Sequence, residues 1–198
     1  MPVPNVTSND GPVGRVLLRD LAFDALLEAI REGVLHPAER LLDVELSGWL
    51  GMSRTPIREA LARLEDIGLV ETSANRYTRV ATVSAIEHAH AAEVLELLCT
   101  CAANGDGGRG GELSKRDRAL ASDLIDGLQT HDVAAYRALL DLRGTWIASF
   151  GNPLLSDAER GLRLRAQFHA VAEGVLIDWS RLTQVAERMA RGAAHGYC

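Results

Sequence analysis

The sequence predicts a mainly α-helical protein, in which three short helices and one β-hairpin precede an antiparallel all-helical bundle. Apolar residues recur at helical spacing along most of the 198-residue chain. Alternation typical of strands is confined to residues 69–82, where two short runs flank a polar tip. No strand pattern follows Val83, so the rest of the chain is expected to be helical.

Chain length and composition suit two small domains, because 47% hydrophobic residues can supply a core to each. We expect a disordered lead-in over residues 1–14, a first domain over 15–83 and a second domain over 84–198. Ser84 and Glu87 form a capping-box pattern, which marks the boundary between the two domains.

The sequence disfavours several classes of protein. No apolar run approaches the roughly 18 residues of a membrane span and no signal peptide is recognisable, so we expect a cytoplasmic protein without a membrane partner. The three cysteines are too few for a disulfide framework and are expected to remain thiols. The glycine-dense segment 105–111 follows no strand and precedes no Gly-Lys-Ser/Thr, which predicts a connector. No nucleophile–base pair stands out, so an enzyme is not expected.

The first domain is expected to hold a helix over about residues 15–32 and a shorter one through Leu50, capped by Asp43. Ser53 is predicted to cap a third helix, and Pro56 lies in its first turn, where a missing N–H costs nothing. The buried stripe of this third helix is predicted to be Ile57, Ala60, Leu61 and Leu64.

Two short helices joined by a tight turn and followed by a hairpin predict a winged helix-turn-helix, whose second helix enters the major groove of DNA. Arg54, Thr55 and Arg58 lie opposite the buried stripe. Guanidinium groups there can read guanine O6 and N7 or clamp phosphates. Alternatively, the two arginines are solvated charges paired with nearby acids. The whole pattern favours double-stranded DNA as the partner, even though the net charge is −6.

The second domain is expected to contain four further helices after the one that starts at Ser84. Capping-box residues Ser156 and Glu159 are predicted to begin the third of these. The predicted helices cover residues 114–129, 132–149, 157–176 and 180–194.

The first domain resembles the DNA-binding domain of the GntR family, whose signature is close to Ser-Arg-Thr-Pro-Val-Arg-Glu-Ala-Leu followed by Arg-Leu-Glu and Gly-Leu-Val. The matching segments here are residues 53–61, 63–65 and 68–70. The resemblance implies a transcription regulator that binds operator DNA through four helix residues: Arg54 and Arg58 as main contacts, with Ser53 and Thr55 reaching phosphates. Tyr77 stands where the family often has a wing-tip glycine. Arg76 and Arg79 are therefore expected to touch phosphates.

The second domain is similar to the effector domain of the FadR-like branch of that family, on the strength of a Gly-Asn-Pro-Leu turn at 151–154. The resemblance implies a helical bundle that forms homodimers and binds a small effector. Many members of that branch hold a metal through one Asp and three His. His169 and His195 match two of these positions, and Asp141 is a weaker candidate whose i+4 partner is Thr145.

At least one ligand of that metal site is missing, so zinc is possible but the set looks incomplete. Counting back from the turn puts Arg143 where the resemblance implies a metal-binding histidine. Arginine binds carboxylates through a two-pronged fork, which suggests a small carboxylate effector near Arg143, Arg165, His169 and Asp141. The alternatives are a DNA-binding dimer that has lost ligand sensing and, remotely, a metal-dependent enzyme.

Overall fold

The computed structural model describes residues 17–73, 76–105 and 113–192, with only the backbone described at residues 104 and 105. The predicted lead-in over 1–14, the connector from 106 onward and the candidate ligand His195 lie outside the described residues. Below, the N-terminal region means residues 18–80 and the helical region means residues 85–191.

Three helices build the N-terminal region: α1 (Leu18–Arg31), α2 (Asp43–Leu50) and α3 (Arg54–Asp66). The predicted stripe of α3 is confirmed, because Ile57, Ala60, Leu61 and Leu64 are all buried. Helix α2 ends at Gly51, whose φ of 64° lies in the left-handed region that glycine adopts without strain. This residue turns the chain directly into α3, which gives the helix-turn-helix its tight joint.

A two-stranded antiparallel hairpin follows α3, with β1 (Val70–Ser73) paired to β2 (Tyr77–Val80). The register pairs Val70 with Val80 and Glu71 with Arg79. Val80 also exchanges backbone hydrogen bonds with the segment before α2, donating to the Glu39 carbonyl at 2.9 Å. The hairpin is thereby fixed against the helix-turn-helix, as expected for a wing.

Within the described ranges, six helices form the helical region and pack around a second apolar core that includes Leu139, Trp146 and Met189. The mainly helical fold class is confirmed. The helices are α4 (Ala85–Gly105), α5 (Lys115–Asp123), α6 (Ile125–Gln129), α7 (Val133–Ala148), α8 (Pro153–His169) and α9 (Trp179–Arg191).

Helix α8 departs from its predicted bounds at both ends. Asn152 caps it, accepting a hydrogen bond from the Leu155 amide at 3.2 Å, and Pro153 occupies its first turn. Ser156 and Glu159, predicted to begin the helix, therefore lie inside it. The helix ends at His169 rather than 176, and Gly174 takes a φ of 79° in the turn that follows. Helix 114–129 is likewise divided in two at Leu124.

Helix α8 also belongs to both cores. Leu164 and Phe168 are buried in the apolar core of the N-terminal region, whereas Ala166 lies in the core of the helical region. At the same boundary, the Arg165 Nε donates to the Ile67 carbonyl at 3.1 Å, and the Ser84 amide donates to the His169 Nδ1 at 3.1 Å. The N-terminal region thus rests on one face of α8.

None of the helices within the described ranges combines the length and the apolar character that crossing a membrane requires.

Candidate functional site

The N-terminal end of α3 presents an exposed polar surface made of Ser53, Arg54 and Thr55. Ser53 is the N-cap residue, as predicted, but its side chain makes no capping hydrogen bond. Among the described residues, Arg54 has no ion-pair partner within 4.0 Å. The hydroxyl of Ser53 and the guanidinium of Arg54 are therefore available to an outside acceptor such as a phosphate.

Arg58 lies one turn further along the same exposed face, and its side chain is 68% exposed. Its Nε donates to the Asp43 Oδ2 at 2.5 Å. Asp43 is the first residue of α2 and, contrary to the prediction, does not cap that helix, because Leu42 is the N-cap residue and provides no side-chain bond. Asp43 therefore binds Arg58 instead of capping its own helix.

The wing contributes two arginines in different environments. Arg76 is exposed near the tip, whereas Arg79 is half-buried and binds Glu71 on the opposite strand through Nε and Nη2 at 2.9 and 2.7 Å. The hydrogen bond from Arg79 lowers the pKa of Glu71, and the Arg79 guanidinium lies 4.7 Å from the Tyr77 ring centroid. Arg79 thus braces the hairpin, and Arg76 is the wing cation better placed to meet a phosphate.

An open groove of about 550 Å³ separates the wing from the start of α2. Arg54 and Arg76 line it, together with the acidic side chains Asp43 and Glu45. Both cations and anions therefore line this groove, and a polyanion would be attracted by the arginines and repelled by the carboxylates.

A separate cavity of about 210 Å³ lies inside the helical region, between α4, α7, α9 and the segment that precedes α9. Its walls are largely apolar, with a few polar groups, as is usual for small-molecule sites. The polar lining residues are His88, Glu93, Glu96, Tyr136, Arg143, Asp178 and Arg181.

Glu96 joins two arginines at this cavity. The Arg143 Nη1 donates to one of its carboxylate oxygens and the Arg181 Nη2 to the other, each at 2.7 Å. Burial opposes the charge of Arg143, but Cys99 and Glu96 outweigh it and raise the pKa of Arg143. Arg143 is buried and Arg181 half-exposed, so an incoming anion would reach Arg181 first.

The buried end of the cavity is neutral. The His88 Nε2 and the Tyr136 hydroxyl are 3.0 Å apart, and both side chains are buried. Burial lowers the pKa of His88, and the neighbouring His169 lowers it further; burial raises the pKa of Tyr136. This end of the cavity offers hydrogen-bonding groups rather than charge.

The four residues predicted to bind an effector do not line one pocket. Arg143 lines the cavity, whereas Arg165 binds the Ile67 carbonyl of the N-terminal region and His169 accepts the amide of Ser84 in the segment between the two regions. The fourth residue, Asp141, accepts hydrogen bonds from three side chains: Arg31 at 2.9 Å, Gln167 at 2.9 Å, and Arg163. Helix α8 turns its Arg165 and His169 toward the helix-turn-helix, and this orientation separates them from Arg143.

Within the described residues, those that the resemblance implies for a metal do not fit one. The oxygens of Asp141 already accept three side-chain hydrogen bonds, and the Nδ1 of His169 accepts the Ser84 amide. The cation Arg143 lies where a histidine ligand was expected. Throughout the described part of the chain, no cluster of three His, Cys, Asp or Glu side chains could hold a metal ion.

Sequence reasoning missed Asp43 and Glu96 as the partners of Arg58 and Arg143, and it missed Arg181 as the second arginine that binds Glu96. One signal was present in α4, where His88 and Glu96 fall among apolar residues on the buried side of the helix. Polar residues in an otherwise apolar stripe are typical of a lined cavity. Asp43 carried no such signal, because it was equally well explained as a helix cap.

Comparison with known proteins supports the prediction for the N-terminal region. Residues 18–80 match the family described as bacterial regulatory proteins, gntR family. An uncharacterized HTH-type transcriptional regulator in the TAR-I ttuE-ttuC' intergenic region of Agrobacterium vitis is 47% identical over 49 residues. Those residues are 25% of this chain and 29% of that protein, so the match spans less than a third of the relative.

Two solved structures have the same fold over most of the chain. One is a protein from Rhodococcus sp. RHA1 assigned as a GntR transcriptional regulator, with a TM-score of 0.67 and 21% identity over 89% of this chain and 87% of that one. The other is E. coli McbR/YncC, with a TM-score of 0.63 and 20% identity over 90% and 89% of the two chains. Together with the family match, the tight joint before α3 and the paired wing identify residues 18–80 as a winged helix-turn-helix domain of the gntR family.

Proposed function

We propose that this protein is a homodimeric, sequence-specific regulator of transcription, acting in the cytoplasm as a repressor that a small effector controls. Residues 15–83 would be its DNA-binding domain and residues 84–198 its effector-binding and dimerisation domain. The observation that carries the proposal is the exposed start of α3, where Arg54 has no ion-pair partner among the described residues and Ser53 makes no cap.

The arrangement of charged groups supports DNA binding despite the net charge of −6. Arg54, Arg58 and Arg76 lie on one side of the N-terminal region, on α3 and on the wing. Contacts to phosphate position such a domain, and contacts to base edges specify the sequence. We propose that Ser53, Thr55 and Arg76 bind phosphates, with Arg54 adapting to either target. In the alternative, Arg58 is only a solvated surface charge paired with the nearby acid Asp43.

A homodimer is proposed because one winged helix reads too few base pairs to be selective, whereas a two-fold dimer matches a palindrome. One face of α4 supports this proposal. Ile86 and Leu97 are 67% and 60% exposed, and Val94 lies between them on the same face. A second copy packed there would remove these apolar side chains from water.

The cavity between α4, α7 and α9 is the proposed effector site, with a small carboxylate as the ligand. Arg181 and Arg143 supply the cationic end, and His88 with Tyr136 supplies hydrogen-bonding groups at the buried end. A ligand carboxylate would compete with Glu96 for Arg181. If Glu96 holds both arginines permanently, the helical region serves only to dimerise, which is the second candidate.

Selection of bound duplexes from random-sequence DNA tests the DNA-binding proposal. We expect a palindromic site with half-sites about one helical turn apart, and an affinity that falls steeply as salt is raised. A second measurement is sedimentation of the full chain, where Leu97→Glu should shift a wild-type dimer toward monomer. Selection that enriches no sequence would contradict the proposed function.

Thermal shift with a panel of small monocarboxylates tests the effector site, because a ligand of the native state raises the melting temperature. Arg181→Ala should abolish the shift, and Arg188→Ala on the same helix should not. A panel that stabilises neither wild type nor variants would favour the helical region as a dimerisation element alone.

A further inference from the structure

We propose that Asp43 is a positioning residue for base recognition, holding Arg58 so that its two terminal nitrogens point out of the protein toward a base. This inference rests on the proposed function and assigns a role to a residue outside the recognition helix. Asp43 is the first residue of α2, and Arg58 is on the second turn of α3. The helix-turn-helix joint brings these two positions together.

The contact between Arg58 and Asp43 uses only one nitrogen of the guanidinium group. The Nε of Arg58 donates to the Asp43 Oδ2, and among the described residues neither Nη of Arg58 has a hydrogen-bond partner. Arginine reads guanine with two parallel N–H groups, one to O6 and one to N7. Because Asp43 binds only the Nε of Arg58, both Nη groups at the end of the side chain remain available to donate to a base. Asp43 thus fixes the direction of the side chain without occupying the nitrogens that would read a base.

The side chains of Arg58 and Asp43 differ in their exposure to solvent. The Arg58 side chain is 68% exposed, whereas that of Asp43 is 24% exposed. The carboxylate is therefore sheltered at the start of α2, where the helix dipole favours a negative charge, and the guanidinium extends beyond it. In free solution an exposed arginine samples many rotamers, and ordering it on binding opposes affinity. Arg58 is ordered in advance, unlike Arg54.

The negative charge of Asp43 has a second effect. A carboxylate beside a DNA-binding surface repels the phosphates of any DNA sequence. Asp43 should therefore weaken binding to all DNA while strengthening the one contact that distinguishes bases. Its effect falls on the ratio of specific to nonspecific affinity. Glu45 offers a matched comparison, because it is exposed on the same helix and lines the same groove without contacting Arg58.

The experiment measures binding of the full-length protein to the duplex that wild type selects and to a scrambled duplex, at one salt concentration. Asp43→Asn should lower the ratio of the two affinities by about 3- to 10-fold per half-site, the cost of ordering one side chain. Glu45→Gln should raise both affinities equally and leave the ratio unchanged. Asp43→Glu, which keeps the charge, should recover part of the ratio.

A double-mutant cycle separates positioning from general repulsion. In an Arg58→Ala background, Asp43→Asn should leave the ratio unchanged, because the side chain that it orients is absent. The inference is overturned if Asp43→Asn preserves or raises the ratio, since Asp43 would then merely restrain Arg58. It is also overturned if the ratio falls equally with and without Arg58. A wild type that selects no sequence would instead contradict the proposed function.

Discussion

Arg58 and Arg143 show how the same ion pair has different effects at the surface and in the interior. Each is bound by one carboxylate, at 2.5 and 2.7 Å, but the Arg58 side chain is 68% exposed and that of Arg143 is 5% exposed. A pair in water contributes little net stability, so Asp43 can serve mainly to orient its partner. A buried pair cannot lose one member without leaving an uncompensated charge, so removing Glu96 should destabilise the fold.

The largest expected effect is on the buried pair. Glu96→Ala should lower the free energy of unfolding by about 3 kcal/mol, because Arg143 would remain buried without its main carboxylate partner. Urea unfolding with an unchanged m-value measures this loss. Glu93→Ala is the control, since Glu93 is exposed on the same helix and lines the same cavity. Equal losses for the two variants would show that the ion pair with Arg143 does not account for the contribution of Glu96 to stability.

The exposed pair should show the opposite behaviour. Arg58→Ala should cost roughly 1–3 kcal/mol of operator binding per half-site, because a bidentate base contact is lost. The melting temperature should stay within a degree or two, since the side chain is mostly in water. Fluorescence anisotropy at fixed salt measures the affinity, with Arg116→Ala on an exposed face of α5 as the control. Unchanged affinity would show that Arg58 does not contact the operator.

A third variant examines the contact between the two regions. Gly68 has a φ of 76°, and a Cβ added there would lie 2.1 Å from the Arg165 guanidinium. Gly33 has a φ of 73° with nothing near it. Both alanine variants should lose about 1–2 kcal/mol from the left-handed backbone, and Gly68→Ala about 1 kcal/mol more through the displaced hydrogen bond of Arg165. In an Arg165→Ala background the two losses should become equal.

The smallest expected effect concerns pH. Burial lowers the pKa of His88 and of His169, so the unfolded chain takes up protons near pH 6 that the folded chain does not. Their stabilising contribution is complete above about pH 6.5 and is lost as pH falls below it. His169→Asn should flatten the pH dependence of urea unfolding.

The N-terminal region could be predicted from the sequence because its signals are local. The glycine turn, the cap and the proline of α3 lie close together, and the hairpin follows within a few residues. Competing local signals explain the misplaced start of α8, where Asn152 with Pro153 prevailed over Ser156 with Glu159. Pro153 prevails because its fixed φ suits a first helical turn.

The cavity could not be predicted in the same way. Glu96, Arg143 and Arg181 lie on three different helices. Glu96 is separated from the two arginines by 47 and 85 residues of chain. Helical periodicity shows which face of each helix is buried, but not how neighbouring helices are rotated about their axes. Arg165 and His169 share a face of α8, as predicted, yet that face meets Ile67 and Ser84 instead of the cavity.

Because α8 contributes side chains to both cores, it limits where this protein can be joined to a relative in a chimera. Its Leu164 and Phe168 fill the core of the N-terminal region. A chimera that joins this helix-turn-helix to another protein's bundle at residue 83 would therefore lose two buried side chains and expose the surface beneath them. Grafting the α8 residues that face α1 and α3 along with the N-terminal region should restore the missing core. The junction that preserves folding is thus defined by a helix face rather than by a position along the chain.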